Sequence, residues 1–316
     1  YFRLQFYFDD NHFFKIQNAV MLNKENHSFL DATLVLGREF LQNVTNGNEY
    51  KPNYSTEFPA NLITTDLDWE DLVLESYIFD EIDIVNTWLN NRDQISHNKL
   101  LSKKINKGYK CLFYGPPGTG KTLSATLLGK KNNLDVFRVD LSQVVSKYIG
   151  ETEKNLASIF DIAENKNWIL FFDEAESLFS KRTAVNDAKD KFANQETAYL
   201  LQRVENYNGL IILATNLKPN IDLAFSRRLQ SVINYAIPNH TQRKALWTNA
   251  LNGIADLSET EIEKVSKTYK ISGGSIKNVI QYAWLKSKVG NTSITLENIM
   301  IGIRRELAKD GKSFEK

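Results

Sequence analysis

The chain has 316 residues, enough for two domains of ordinary size that each bury a core. Its 39 Lys and Arg residues are balanced by 38 Asp and Glu residues, so no overall field draws it to nucleic acid or to an anionic membrane. Its apolar runs are far shorter than the roughly 20 residues that span a bilayer. These features predict a globular protein without a transmembrane segment.

The single cysteine, Cys111, lies at the head of an apolar run and has no partner for an intrachain disulfide. This cysteine usage suits a reducing compartment, and we expect a buried thiol and a cytoplasmic location. The chain begins at Tyr1 and not at a methionine, so the sequence leaves open whether a targeting segment precedes it.

The first 65 residues differ in pattern from the rest of the chain. Tyr1–Phe8 alternates loosely as a strand does, Phe13–Met21 fits a strand or a helix, and Ser28–Asn43 fits a short helix. We expect residues 1–65 to form an N-terminal α+β adaptor segment whose fold the pattern leaves open.

Residues 66–238 alternate short apolar runs with helical patterns, which is typical of βα units on a parallel sheet covered on both faces. An amphipathic helix is predicted around Ile78–Asn91. The five predicted strands are Lys110–Tyr114, Val136–Asp140, Trp168–Asp173, Leu210–Thr215 and Val232–Ala236. The predicted fold class is therefore α/β, with a five-stranded parallel sheet sandwiched by helices.

The strand patterns stop after Pro238, and residues 239–316 fit a small all-helical lid domain. Its four predicted helices, three of them opened by Ser or Thr near the cap position, are Thr241–Leu251, Ser258–Tyr269, Ser275–Val289 and Thr295–Leu307.

A glycine-rich loop joins the first predicted parallel strand to a helix and matches the P-loop pattern, with Gly120, Lys121 and Thr122 at its end. Backbone N–H groups in such a loop point at phosphates, Lys121 is expected to reach the β- and γ-phosphates, and Thr122 to ligate Mg²⁺. The predicted nucleotide-binding residues are Gly115, Pro116, Pro117, Gly118, Thr119, Gly120, Lys121, Thr122 and Leu123. ATP and Mg²⁺ are the expected cofactors.

Polar side chains follow two further predicted strands at their carboxyl ends, the edge where ligands bind in open α/β sheets. Asp173 is expected to hold the Mg²⁺ shell, and Glu174 to act as the general base for an attacking water. Asn216 would lie beside the γ-phosphate, although Asn at a strand end is also a common turn residue. An acidic helix cap is the alternative interpretation of the carboxylate pair.

The order and spacing of these segments, from Asp66 to Leu307, resemble the AAA+ ATPases, in particular the AAA remodelling branch that includes spastin and katanin. The resemblance implies ATP hydrolysis in a ring-shaped oligomer, by analogy a hexamer, that acts on a protein client. Tyr148-Ile149-Gly150 is similar to the first pore loop of that branch. There Tyr148 would grip a threaded polypeptide and Ile149 would support it, while the plainer alternative is a packing residue in a loop.

Arg227 and Arg228 resemble the segment that supplies arginine fingers to the neighbouring subunit, where a cation stabilises charge on the γ-phosphoryl oxygens. The alternative is a solvated or salt-bridged pair, and the sequence leaves open which arginine is the finger. In the lid, Gly273-Gly274-Ser275 stands where many AAA+ proteins place a sensing arginine, and Lys277 is a weak substitute.

The segment Phe58–Leu74 and the helix predicted over Asn194–Gly209 also resemble AAA+ proteins encoded with bacterial contractile, phage-tail-like injection systems. That narrower resemblance implies a particle component as the protein client. The competing hypothesis is a nucleic-acid AAA+ ATPase such as a loader or helicase. The near-zero net charge and the lack of a recognisable nucleic-acid motif argue against it.

Overall fold

The structure is a computed structural model. It describes residues 7, 12, 14, 19–23, 33–37, 40–41, 44–45, 47, 51–52, 54–55, 58–141, 151–176, 198–216, 227–255, 257–309 and 311. The chain divides into two compact units, Tyr1–Asn53 and Tyr54–Lys316.

The first unit contains an antiparallel pair of strands, β1 (Val20–Asn23) and β2 (Thr33–Leu36), with Val20 opposite Leu36. The predicted helix over Ser28–Asn43 is therefore wrong, since β2 lies inside it. The segment Thr-Leu-Val-Leu is rich in residues that favour strands, and pairing with β1 supplies the backbone hydrogen bonds that a helix would otherwise provide. Most of the strand predicted over Tyr1–Phe8 lies outside the described residues.

The second unit is built on a six-stranded sheet with the order β3-β5-β6-β7-β4-β8. Its strands are β3 (Ala60–Ile63), β4 (Tyr109–Tyr114), β5 (Val136–Asp140), β6 (Ile169–Asp173), β7 (Leu210–Thr215) and β8 (Ser231–Asn234). The five predicted parallel strands are confirmed.

The sequence pattern did not predict β3. This strand pairs antiparallel with β5 at the edge of the sheet, with Ala60 opposite Val139. Four residues with two exposed side chains in the middle give no alternating signal, so only the backbone pairing defines this strand. β3 lies within the predicted N-terminal segment 1–65, whereas the second compact unit already begins at Tyr54. The predicted boundary after residue 238 stays a prediction.

Helices cover both faces of the sheet and form the C-terminal part of the chain. They are α1 (Ser76–His97), α2 (Lys121–Asn132), α3 (Glu151–Lys166), α4 (His240–Leu251), α5 (Glu259–Thr268), α6 (Gly273–Val289) and α7 (Leu296–Lys309), and residues 198–206 are also helical. The helix predicted around Ile78–Asn91 and the four predicted lid helices are confirmed. No helix in the described parts of the chain is both long and apolar enough to cross a membrane.

Strand β6 shows why the parallel strands are mostly apolar. Leu170 and Phe172 pack on the face covered by α3 and residues 198–206, whereas Ile169 and Phe171 pack on the face covered by α1 and α2. All four side chains are fully buried, and each contributes about 1.5 to 3 kcal/mol of transfer free energy. Burial on both faces fixes the position of the strand and of the polar residues that follow it.

The four C-terminal helices α4 to α7, called the lid below, have a hydrophobic core of their own that includes the buried Trp247 of α4. Its helices begin at side-chain caps: Asn239 accepts a hydrogen bond from the Gln242 N–H, and Ser258 forms a capping box with Glu261. The caps satisfy N–H groups that a helix start leaves unpaired, so each lid helix has a defined first residue.

Candidate active site

The P-loop is the turn between β4 and α2. Gly118 has φ +73° and Gly120 has φ +106°, in the region where an L side chain is strained, so the glycines allow the chain to curl here. Gly120 is the N-cap of α2, and among the described residues no side chain caps this helix. The N–H groups of its first turn thus have no side-chain acceptor and, with the positive end of the helix dipole, favour an anion at this point.

Lys121 is the first residue of α2, and its side chain is buried. Its ammonium donates to the carbonyl oxygens of Gly115 at 2.6 Å and Pro116 at 3.0 Å, and to Oδ1 of Asn216 at 3.0 Å. Burial lowers the pKa of Lys121, while the charges of Asp173 and Glu176 oppose that shift. The loop therefore holds a desolvated cation whose hydrogen bonds fix its position.

Asp173 ends β6, and Glu174 follows with an exposed side chain and φ +54°, an unusual backbone conformation for a residue other than glycine. Oδ1 of Asp173 accepts the N–H of Glu174 at 3.1 Å. The next N–H, of Ala175, donates to the carbonyl oxygen of Ala214 in β7 at 2.9 Å. These bonds hold a strained turn that leaves the Glu174 carboxylate in solvent at the edge of the sheet.

Asn216 follows β7 and lies beside this turn. Its backbone N–H donates to Oε1 of Glu176 at 2.8 Å, and its side-chain oxygen accepts from Lys121. The carboxyl ends of β4, β6 and β7 are thus connected through side chains, as expected where parallel strands end at one edge.

A cleft of about 1030 Å³ joins these residues to the lid. The predicted residues Pro117 to Leu123, Asp173, Glu174 and Asn216 all line it, whereas Gly115 and Pro116 contribute the carbonyl oxygens that hold Lys121. Its apolar wall consists of Ile63, Leu67, Leu72, Val73, Leu74, Ile78, Leu246, Ala250, Ile254, Ile276 and Ile280. The cleft therefore combines polar P-loop residues with apolar residues of the lid and of the segment before α1, and its size suits a small molecule.

The lid contacts the P-loop directly. The N–H of Gly274, in the first turn of α6, donates to the carbonyl oxygen of Gly118 at 2.9 Å. Lys277, one turn further along α6, lines the same cleft. The start of α6 is therefore a wall of the site.

Arg227 and Arg228 lie elsewhere. They line a separate polar cleft of about 510 Å³ that also includes Lys107, Lys110 and Glu205. Arg228 forms an ion pair with Glu205. Among the described residues, Arg227 has neither an ion pair nor a hydrogen bond. The structure therefore does not bring either arginine to the P-loop of its own chain. The predicted pore-loop residues Tyr148 and Ile149 lie outside the described residues.

Two residues that do not line the cleft but contact residues that do were missed by the sequence reasoning, Arg138 and Glu176. Arg138 in β5 forms an ion pair with Asp173 at 2.9 Å, and Glu176 accepts from Asn216. A signal existed for both: Arg138 is a charge inside a mainly apolar strand, and Glu176 is the second acid after β6.

Comparison with known proteins agrees with this geometry. Residues 111–236 match the sequence model of the ATPase family associated with various cellular activities (AAA). This part of the chain is an AAA ATPase domain. The predicted resemblance to the AAA ATPases and the predicted α/β fold class are confirmed, with one antiparallel strand added to the five parallel ones.

Two relatives of the AAA domain, one archaeal and one bacterial, show how much of each protein the match covers. Cell division protein C of Sulfolobus acidocaldarius is 33% identical over 186 residues, which cover 55% of this chain and 49% of that protein. The ATP-dependent zinc metalloprotease FtsH 2 of Thermoanaerobacter is 30% identical over 259 residues, which cover 77% of this chain and 49% of that protein. The chain thus spans about half the length of these relatives.

The crystal structure of the FIGL-1 AAA domain in complex with ADP matches with a TM-score of 0.62 at 22% sequence identity. The match covers 78% of this chain and 86% of that one, so it extends beyond residues 111–236. It shows that the two chains share a fold.

Proposed function

We propose that the chain hydrolyses ATP with Mg²⁺ in a ring-shaped oligomer and uses the reaction to remodel a protein client. The observation that carries the proposal is the convergence of Lys121, Asp173, Glu174 and Asn216 on one cleft, beside the uncapped start of α2. This combination of a buried cation, helix N–H groups and two carboxylates suits a phosphate chain and a metal ion.

The polar P-loop residues of the cleft would hold the phosphates. Lys121 would exchange its carbonyl partners for β- and γ-phosphate oxygens, an exchange that charge-assisted hydrogen bonds favour. The hydroxyl of Thr122 and the carboxylate of Asp173 are hard oxygen donors and fit Mg²⁺, which proteins usually bind with few protein ligands plus phosphate oxygens. When bound, Mg²⁺ would neutralise charge on those phosphate oxygens.

Glu174 would be the general base. Its carboxylate is exposed and lines the same cleft, where it can accept a proton from a water molecule. Asn216 lies between Lys121 and Glu176 and would orient that water or the γ-phosphate. The positive φ of Glu174 supports this role, because backbone strain of this kind clusters at functional sites.

The apolar residues of the cleft would take the adenine base. Leu72 and Val73 precede α1, and Leu246 and Ile276 belong to the lid, so the base would contact both parts of the second unit. Binding of ATP would therefore couple the position of the lid to the phosphate site.

The arginine pair supports a site shared between subunits. Neither Arg227 nor Arg228 reaches the P-loop cleft of its own chain, so a finger would act on a neighbour's nucleotide. Because Arg228 is already paired with Glu205, we assign the finger to Arg227 and a supporting role to Arg228. A ring, by analogy a hexamer, follows from such an arrangement.

The protein client is inferred from the resemblance of Tyr148-Ile149-Gly150 to a pore loop and from the kinds of relatives that match. Tyr148 would grip the polypeptide and Ile149 would support it. A component of a contractile, phage-tail-like particle is the client that the narrower resemblance favours.

The test is the steady-state ATPase rate as a function of chain concentration and Mg²⁺. We expect turnover that requires Mg²⁺ and whose rate per chain rises with concentration as subunits assemble. A rate per chain that stays constant down to the monomer would contradict the shared site, and no turnover under any assembled condition would contradict ATP hydrolysis.

A further inference from the structure

Arg138 is a partly exposed charged residue in β5, a strand whose apolar residues belong to the core. Its neighbours Phe137 and Val139 are fully buried, and its backbone lies opposite Phe171 in β6. The guanidinium reaches along the sheet to the carboxyl end of β6, where Nη2 lies 2.9 Å from Oδ2 of Asp173. The Arg138 side chain is 42% exposed, so its charge is only partly removed from water, and the ion pair fixes the direction of the guanidinium.

Both oxygens of the Asp173 carboxylate are engaged within the chain. Oδ2 accepts from Arg138, and Oδ1 accepts the N–H of Glu174 at 3.1 Å. The Asp173 side chain is only 20% exposed, and the field of its charge also reaches Lys121. The negative charge of Asp173 therefore acts on two cations of the chain, Arg138 and Lys121.

Not every N–H group of the Arg138 guanidinium has a hydrogen-bond partner in the described parts of the chain. Its Nε is buried and has no hydrogen-bond partner in the described parts of the chain, so the pair with Asp173 is its only ion pair there. A metal ion that took Oδ2 would remove that partner and would meet the positive charge of Arg138 at close range.

We propose that Arg138 is the resident counter-ion of Asp173 and raises the Mg²⁺ concentration that the site needs. This proposal rests on the metal role proposed for Asp173. Arg138 acts through Asp173 and is a positioning residue: it fixes the carboxylate when no metal is bound and competes with the ion when one arrives. Competition between two cations for one carboxylate oxygen makes this direction the expected one.

The test measures nucleotide binding and not turnover. ADP affinity of the full chain is titrated with EDTA and then at rising Mg²⁺, for the wild type, Arg138→Met and Arg138→Lys. Arg138→Met keeps an unbranched side chain without the charge, and Arg138→Lys keeps the charge. Arg138→Gln replaces Arg138→Met if the latter fails to fold by circular dichroism.

For Arg138→Met we expect the Mg²⁺ concentration that gives half of the full change in ADP affinity to fall about three- to tenfold. The ADP affinity measured in EDTA should stay within about twofold of the wild-type value. Arg138→Lys should stay within about twofold of the wild type. An unchanged or higher Mg²⁺ requirement in Arg138→Met overturns the counter-ion role while leaving the metal site intact. If ADP binding by the wild type is indifferent to Mg²⁺, the metal role of Asp173 fails, and the counter-ion proposal falls with it.

Discussion

Gly274 donates a hydrogen bond from the lid to the P-loop, and its replacement by alanine tests whether that contact belongs to the nucleotide site. A Cβ at Gly274 would lie 2.9 Å from Cα of Gly118, a distance that backbone atoms must relieve by moving. The start of α6 would have to retreat by about half an ångström, which weakens the hydrogen bond from the Gly274 N–H to the Gly118 carbonyl oxygen.

Overpacking of this kind costs about 1 to 3 kcal/mol. Without nucleotide, the lid can shift and so relieve the clash. The free-energy cost of overpacking should therefore appear when the lid closes over the bound ADP. We expect Gly274→Ala to weaken ADP binding by about 5- to 150-fold, measured by isothermal titration calorimetry, with little change in melting temperature.

Gly273→Ala is the matched control, since a Cβ there meets its nearest atom at an ordinary 3.5 Å. Both variants gain the same helix propensity, so comparison of the two cancels that effect. Equal ADP affinities for Gly274→Ala and Gly273→Ala would refute the idea that the lid closes on the P-loop when nucleotide binds.

Three further predictions concern other parts of the chain. Arg227→Ala should lower ATP turnover about 10³-fold or more and leave ATP binding intact, whereas Arg228→Ala should lower it less; the reverse order of rates would exchange their roles. Tyr148→Ala should spare the ATPase rate and abolish unfolding of a tagged client, and equal loss of both would point to a packing role. Burial lowers the pKa of Lys110 in the folded chain below 10.5, the ordinary value that applies to the unfolded chain. Between the folded and the unfolded pKa, the unfolded chain binds more protons, so the free energy of unfolding rises with pH. Urea unfolding should therefore show the wild type gaining stability relative to Lys110→Met as pH rises towards 10.5, and a constant difference would contradict the shift.

The fold of the second unit was predictable where a single physical feature, such as burial on both faces or a helix cap, determines a strand or a helix. Strands such as Ile169–Asp173 are buried on both faces and have no polar interruption, and a helix such as Glu259–Thr268 starts at a capping box. The first unit gave no such signal: Thr33–Leu36 depends on pairing with Val20–Asn23, which local sequence does not encode.

The candidate site was predictable where a sequence motif implies the chemical role of its residues. Lys121, Asp173 and Asn216 follow from the P-loop and from polar residues at strand ends, and the structure places them on one cleft. Arg138 could not be found in this way, because its contact with Asp173 depends on strand order, and β5 and β6 become neighbours only in the folded sheet. The contact of Gly274 with Gly118 likewise requires the lid to be in place.

The central claim is that the cleft hydrolyses ATP with Glu174 as the base, and one variant tests it most directly. Glu174→Gln keeps the size of the side chain and removes the proton acceptor, so ATP binding should match the wild type while turnover falls by about 10² to 10⁴. Both quantities are measured on the same assembled preparation, by equilibrium binding and by phosphate release. Turnover at the wild-type rate in Glu174→Gln would contradict the account.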